Sequence, residues 1–185
     1  MIKYQKEELD KIVNCLNNNE LIILKTDTVY GIMAKTSKNN EISINKFKNS
    51  DINKKVSIIF PSIDTLLDNI DTLSNDKITL IKEKLPGKYT FIVNLKDEFI
   101  KPLGFNRKDF GVRVTSNDYL QNIISITGPL LASSCNITGY KPCRNMKEIE
   151  DQFKNTNINV VVDSEAIDIP STIIDLTSDE IKIIR

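Results

Sequence analysis

Hydrophobic and polar positions along the chain predict helices interleaved with short strands. Leu9, Ile12 and Leu16 follow the three- and four-residue spacing of an amphipathic helix, so we expect a first helix over about residues 6–18. The next apolar run, residues 21–24, is short and unbroken and predicts a buried strand. This alternation repeats to the end of the chain and is typical of an α/β protein.

The later elements follow from the same two patterns. Helical spacing of apolar residues predicts further helices around residues 44–47, 63–70, 78–85, 120–124 and 146–153. Short β-rich runs predict strands at residues 56–60, 89–93, 111–114, 130–132, 160–162, 173–176 and 181–184. The last two runs flank a turn and predict a hairpin. We therefore expect one α/β domain over residues 1–185, with a mixed sheet.

Polar residues beside these patterns predict where helices begin and where a loop lies. Ser62, Ser116 and either Asn39 or Asn40 precede helical patterns, and their side chains are of the type that caps a helix N-terminus. Residues 96–109 form the longest polar stretch and predict a mobile loop.

Composition limits the chemistry that the chain can perform. The 185 residues include 25 Lys+Arg, 25 Asp+Glu and no His. Balanced charge provides no overall basic field for nucleic acid, so any basic site has to be local. Without His, a His general base and His-containing metal sites are excluded. Three cysteines without a CxxC spacing fit neither a zinc ribbon nor a disulfide framework.

Two further features predict where the protein resides. Residues 1–10 are charged and lack the apolar core of a signal peptide. No apolar run reaches the length that crosses a membrane. We therefore expect a cytoplasmic protein that does not associate with membranes.

The basic residues are unevenly divided between lysine and arginine. Only four of the 25 are arginines, at positions 107, 113, 144 and 185. Where lysine dominates to this extent, a retained arginine indicates a need for its planar fork, which suits phosphate or carboxylate. The chain contains neither GxGxxG nor GxxxxGK[ST], so a nucleotide would have to bind by a less common route.

Six short segments, taken together and in order, carry a family resemblance. They are Lys25-Thr-Asp-Thr-Val-Tyr-Gly31, Pro86-Gly87 with Thr90, Gly111-Val-Arg113, Ser133-Ser-Cys-Asn136 with Gly139, Pro170-Ser-Thr172 with Asp175, and Ile183-Ile-Arg185. This set resembles the YrdC/TsaC family, the threonylcarbamoyl-AMP synthases, and Thr-Asp-Thr-Val-Tyr-Gly is its most specific piece. The resemblance implies the short, single-domain form. It also implies a twisted mixed parallel/antiparallel sheet with flanking helices and a central cleft.

The resemblance also implies an activity that suits a chain without His. The family joins L-threonine, bicarbonate and ATP, with Mg²⁺ on the phosphates, to give threonylcarbamoyl-AMP and pyrophosphate. The product passes to a transferase that modifies tRNA. Because threonine's amine captures bicarbonate and the resulting carbamate attacks the α-phosphate, the protein has to position its ligands and stabilise charge rather than supply a nucleophile.

Carried over residue by residue, the resemblance assigns two groups of ligand contacts. The threonine-binding group is Thr28, Tyr30, Arg113, Ser134 and Ser171. The ATP-binding group is Lys48, Ser50, Lys54, Asn136, Arg144 and Arg185. Arg113 would fork onto the threonine carboxylate, and Arg185 would contact phosphate. Because a buried arginine without a partner is costly, a ligand role is favoured for Arg113 over a structural one.

Several of these assignments have ordinary structural alternatives. Lys48 and Lys54 lie in a lysine-rich stretch, where surface lysines are usually solvated. Ser134 and Asn136 are residues that also cap turns. Arg185 is the last residue, and chain ends often fray.

Departures from the family pattern leave the activity open. Ser50 stands where the family's Lys-x-Arg segment has its arginine, so we expect Lys48 to point into the cleft beside a gap at Ser50. Lys25 or Lys54 would then compensate only as a point charge. Three alternatives remain at this point: an active synthase, an RNA-binding protein that uses a basic face, and a catalytically degenerate relative.

Overall fold

The computed structural model describes residues 1–167 and 169–185, and within them the chain forms a single α/β domain around a ten-stranded mixed sheet. The strands are β1 (Ile2–Tyr4), β2 (Ile22–Lys25), β3 (Tyr30–Lys35), β4 (Ser57–Ile59), β5 (Tyr89–Asn94), β6 (Asp109–Arg113), β7 (Leu130–Ser134), β8 (Asn159–Val161), β9 (Thr172–Asp175) and β10 (Lys182–Ile183). The helices are α1 (Leu9–Asn17), α2 (Lys38–Phe47), α3 (Ile63–Asn69), α4 (Asn75–Lys84), α5 (Asp97–Ile100), α6 (Asp118–Thr127) and α7 (Met146–Phe153).

The sheet brings strands that are distant in sequence side by side. Its strand order is β1-β8-β2-β3-β7-β4-β6-β5-β9-β10. β8 pairs in parallel with β1 and β2, β4 with β6, and β5 with β9, while the remaining neighbours are antiparallel. As a result, β3, β7, β4 and β6 form the centre of the sheet. The predicted C-terminal hairpin is confirmed as the antiparallel pair β9–β10.

Both faces of the sheet are covered, because successive side chains of a strand point to opposite sides. Ile22 and Leu24 of β2 pack with α1 and α6, whereas Ile23 belongs to the larger cluster on the other face. That larger cluster receives buried side chains from α2, α3, α4 and α7, including Ile44 and Phe153. The sheet is therefore the middle layer between two helical layers, as the alternation of patterns predicts.

The predicted helix N-caps are partly confirmed. The hydroxyl of Ser62 accepts a hydrogen bond from the Thr65 amide and caps α3. The prediction is wrong for α2, which Ser37 caps, and for α6, which Asn117 caps. Ser116 is used elsewhere, because its amide and its hydroxyl both donate to the carboxylate of Asp27.

The stretch 96–109 is more ordered than its polar sequence predicts. It forms α5 and a 3₁₀ turn at Lys101–Leu103. Phe105 is buried and packs edge-on against Phe110, with 5.0 Å between ring centroids. The predicted loop is therefore wrong for residues 97–103, which form helical turns. The polarity of the segment gave no sign that Phe105 anchors it.

Two strands, β1 and β3, were not predicted from the sequence. β1 lies in a charged N-terminal segment and pairs in parallel with β8, so its partner is more than 150 residues away. Among the described residues, no helix is both long enough and apolar enough to span a membrane.

Candidate functional site

A pocket of about 200 Å³ opens at the central strands of the sheet. Six residues predicted from the sequence line it: Thr28, Tyr30, Arg113, Ser134, Ser171 and Arg185. β3 contributes Tyr30, β6 contributes Arg113 and β7 contributes Ser134, so the strand order described above brings them together. Two statements stay predictions: that this pocket is the central cleft, and that each residue binds the ligand assigned to it.

Arg113 is held at the pocket by groups from other segments. Its NH2 nitrogen donates to Asp27 Oδ1 at 2.7 Å and to the Gly87 carbonyl at 3.2 Å. Its NH1 nitrogen donates to Thr28 Oγ1 at 3.2 Å. Burial lowers the pKa of Arg113, and the charge of Asp27 opposes that shift. The guanidinium is thus a fixed, charged group.

The same guanidinium retains unused donors. Arg113 is only 7% exposed, and its Nε has no hydrogen-bond partner within the described part of the chain. A buried N–H without a partner is costly and uncommon in a folded protein. Arg113 lines the pocket, and the second hydrogen of NH1 has no acceptor among the described residues, so this hydrogen is the donor available to a ligand there.

Hydroxyl groups surround Arg113. Thr26 Oγ1 donates to the Val29 carbonyl and lies 2.9 Å from Thr28 Oγ1. On another wall, Thr90 Oγ1 and Ser171 Oγ are 2.8 Å apart, and both residues are buried. The Arg185 guanidinium donates to the Ser171 carbonyl at 3.2 Å. These groups give the pocket a polar lining without a carboxylate among its described residues.

Lys48 lies beneath the pocket wall rather than in it. Its ammonium donates to the Ser134 carbonyl and to Asn136 Oδ1, the latter at 3.0 Å, and Lys48 is 2% exposed. Ser134 Oγ also donates to Asn136 Oδ1, at 2.7 Å. Burial lowers the pKa of Lys48 to about 8. The structure therefore places Lys48 and Asn136 behind Ser134, where they hold it in position, and not among the residues that line the pocket.

Three other predicted residues are not brought to the pocket. The hydroxyl of Ser50 forms a hydrogen bond with that of Thr138. Ser50 therefore does not face the gap that was expected beside Lys48. The carbonyl of Lys54 accepts from Asn45, and its side chain is not part of the pocket lining. Arg144 pairs with Glu148 on the exposed surface of α7 at 2.7 Å.

The tyrosine of the site positions a neighbouring segment. The phenol oxygen of Tyr30 lies 2.9 Å from the Asp163 carbonyl and 3.0 Å from that of Ser164. Burial raises the pKa of this phenol well above its usual value, so Tyr30 is neutral. Tyr30 therefore holds Asp163 and Ser164 in place, at the start of the segment that leads to Ser171.

Some pocket residues were missed in the sequence. Lys55, Val56, Ser57 and Ile59 all line the pocket. For Ser57 and Ile59 the two-residue spacing is the signal that could have found them, because alternate residues of a strand share a face. Lys55 forms an ion pair with Asp109. Asp27 was missed as the partner of Arg113, because nothing local marks a contact across 86 residues.

No cluster of three or more His, Cys, Asp or Glu that could hold a metal ion occurs among residues 1–167 and 169–185.

Comparison with known proteins identifies relatives that match most of the chain. The Sua5/YciO/YrdC family model, described as "Telomere recombination", matches residues 14–185. A threonylcarbamoyl-AMP synthase of Aliivibrio fischeri is 28% identical over 157 residues, which cover 82% of this chain and 84% of that protein. Another, from Vibrio parahaemolyticus, is 26% identical over 182 residues, which cover 95% of this chain and 97% of that protein.

Solved structures have the same fold. E. coli YciO superposes with a TM-score of 0.84 at 23% identity, covering 100% of this chain and 93% of that one. P. abyssi Sua5 complexed with L-threonine gives a TM-score of 0.86 at 20% identity, and the match covers 100% of this chain and 56% of that longer protein. At such identities the likeness establishes the fold, while the chemistry has to be argued from the pocket.

Proposed function

The chain belongs to the Sua5/YciO/YrdC family, and from this premise we propose that it is a cytoplasmic nucleotidyltransferase, a threonylcarbamoyl-AMP synthase. Its substrates are L-threonine, bicarbonate and ATP, and its products are threonylcarbamoyl-AMP and pyrophosphate. The adenylate is then used by a transferase that forms threonylcarbamoyladenosine in tRNA.

The reaction divides into two steps. Threonine's amine nitrogen attacks the bicarbonate carbon, and water leaves as the carbamate forms. A carbamate oxygen then attacks the α-phosphorus of ATP, and the bond to the β-phosphate oxygen breaks to release pyrophosphate. Neither step uses a protein nucleophile, so the tasks of the pocket are orientation, charge stabilisation and exclusion of water.

The observation that carries the proposal is the set of donors at Arg113. Within the described structure NH1 uses only one of its two hydrogens, so the other is available for a charge-assisted hydrogen bond to a carboxylate oxygen. Hydroxyls of Thr28, Ser134 and Ser171 line the same pocket. An amino acid with its own hydroxyl and carboxylate fits this combination of groups.

Two cations support the phosphate half of the proposal. Arg185 lines the pocket, and no ion pair joins it to an acidic side chain in the described part of the chain. Lys55 also lines the pocket, paired with Asp109. Both would stabilise the charge that moves onto pyrophosphate.

Magnesium fits this pocket as part of the nucleotide substrate. Because the described lining has no carboxylate, Mg²⁺ would enter as Mg–ATP, held by phosphate oxygens and water. Hydroxyls such as those of Ser57 and Ser133 would contact its water shell. When bound, the ion neutralises phosphate charge; it needs no ligand from the protein.

The test is pyrophosphate release by the purified protein, with threonine and bicarbonate each omitted in turn. We expect release only when both are present with Mg–ATP, and mass spectrometry should identify threonylcarbamoyl-AMP. Serine and valine in place of threonine are matched controls for the hydroxyl and the methyl group.

Two other results would contradict the proposal. Binding of threonine and ATP without turnover would identify a degenerate relative, consistent with Ser50 in place of an arginine. Binding of tRNA without either small ligand would favour the RNA-binding alternative.

A further inference from the structure

Asp27 is a buried carboxylate whose two oxygens are both occupied. Its side chain is 7% exposed. Oδ1 accepts from Arg113 at 2.7 Å and from Thr115 Oγ1 at 2.8 Å. Oδ2 accepts from the Ser116 amide at 3.2 Å and from its hydroxyl at 3.1 Å. The carboxylate is therefore fixed by the segment that follows β6, independently of Arg113.

A neighbouring charge and hydrogen bonds keep Asp27 ionised. Burial raises its pKa, but the Arg113 charge and the hydrogen bonds from Thr115 and Ser116 lower it further, so the net pKa is below its usual value. A fixed anion thus faces one side of the guanidinium at all pH values near neutrality.

The contacts of Arg113 divide its donors between the protein and the pocket. Asp27 and the Gly87 carbonyl occupy both hydrogens of NH2, and Thr28 occupies one hydrogen of NH1. Nε–H is left without a partner in the described structure. A guanidinium is planar, so fixing NH2 also fixes the direction of the NH1 hydrogen that Thr28 does not use.

We propose that Asp27 is a positioning residue, which orients Arg113 so that the remaining NH1 hydrogen binds the carboxylate of the amino-acid substrate. This inference rests on the proposed function. Asp27 does not itself contact the substrate; it sets the angle of the group that does. The alternative is that Asp27 only neutralises a buried charge.

The decisive variant is Asp27→Asn, which keeps the shape of the side chain and removes its charge. We expect the apparent KM for threonine to rise at least about 10-fold, as for loss of one charged hydrogen bond. The KM for ATP should stay within about twofold. Glu41→Gln is the matched control, because Glu41 is also a buried carboxylate paired with an arginine but does not line the pocket. It should leave the ratio of the two KM values unchanged.

A second readout follows Arg113 itself without requiring turnover. The chain has only four arginines, so ¹⁵N spectra contain few Nε–H signals, and Arg113→Lys identifies the one from residue 113. Threonine should shift this signal in the wild-type protein and not in Asp27→Asn. If threonine shifts it equally in both proteins, or if the KM values for threonine and ATP rise in the same proportion, the inference is overturned.

Two further outcomes are separable. If the wild-type protein shows neither a threonine-dependent shift nor turnover, the proposed function fails and the inference falls with it. If Asp27→Asn does not fold, Thr115→Val removes one hydrogen bond to the same carboxylate oxygen and should raise the threonine KM about two- to fivefold. An unchanged threonine KM in that variant contradicts the positioning role.

Discussion

Arg107 and Arg113 each pair with a buried carboxylate, but the two pairs differ in which nitrogens of the guanidinium have partners. Arg107 donates to Glu41 Oε2 at 2.9 Å and to Oε1 at 2.5 Å, and its Nε donates to the Asp109 carbonyl at 3.3 Å. Its guanidinium also lies over the ring of Phe110, 4.2 Å from the centroid. All three of its nitrogens therefore have a partner.

Arg113 meets Asp27 through one nitrogen and keeps its Nε free. Both carboxylates have pKa values below their usual range: burial raises each pKa, and the arginine together with local hydrogen bonds outweighs that effect. Charge alone thus does not distinguish a structural arginine from one that binds a ligand. The place of the unused donors does, because Arg113 lines the pocket and Arg107 does not.

The largest effect should come from breaking the pair of Arg107 and Glu41. Arg107→Met leaves the Glu41 carboxylate buried with only Lys38 and the Val56 amide as partners, and should lower the free energy of unfolding by about 3–5 kcal/mol. Threonine affinity of the folded variant should not change. Urea unfolding and threonine titration at low temperature measure the two quantities. Arg144→Met, at an exposed pair on α7, should cost about 0.5 kcal/mol or less; an equal cost for both variants would contradict this distinction.

Changes to the pair of Arg113 and Asp27 should alter ligand affinity rather than the stability of the fold. Arg113→Lys keeps the charge and loses the fork, so the threonine requirement should rise about 10–150-fold, or about 1.5–3 kcal/mol. In Arg185→Lys the ATP requirement should suffer instead. Both constants can be measured by pyrophosphate release with bicarbonate saturating. A proportional loss of both affinities in both variants would make Arg113 structural, like Arg107.

Lys48 extends the comparison to a buried cation without a carboxylate partner among the described ion pairs. Its pKa of about 8 in the folded protein is below the usual 10.5, because burial disfavours the charged form. Between about pH 8 and 10.5 the unfolded chain therefore binds more protons, and stability rises with pH in that window.

The difference in unfolding free energy between wild type and Lys48→Met should accordingly move in favour of the wild type by about 1–2 kcal/mol from pH 8 to pH 10. Below pH 8 the difference should stay constant. Urea titrations at four pH values, with Lys46→Met as the surface control, test the sign. A difference that does not vary with pH would mean that Lys48 is solvated.

The smallest effect should come from adding an arginine. Ser50→Arg places a guanidinium at the position where the family has one, and should raise ATP affinity by up to about 10-fold if the site is otherwise intact. Ser50→Lys is the control for charge without the fork. No change with either variant would indicate that Lys55, which already lines the pocket, supplies that cation.

The sequence by itself determined most of the elements and the identity of the main pocket residues. Period-3.6 and period-2 patterns depend on neighbours a few residues away, so α1, α3, β4 and the final hairpin are predictable from local sequence. The resemblance likewise depends on short segments, and it identified Thr28, Arg113, Ser134, Ser171 and Arg185, all of which line the pocket.

Only the tertiary structure decided how those residues are used. It selected Asn117 over Ser116 as a cap, because Ser116 is taken by Asp27, 89 residues away. It placed Lys55 at the pocket and Lys48 behind it, although both lie in one lysine-rich stretch. The physical reason is that the donors of a guanidinium that remain for a ligand are those that its protein partners do not use. For Arg113 one of those partners is Asp27, which is 86 residues away in the sequence and therefore cannot be found from any local pattern.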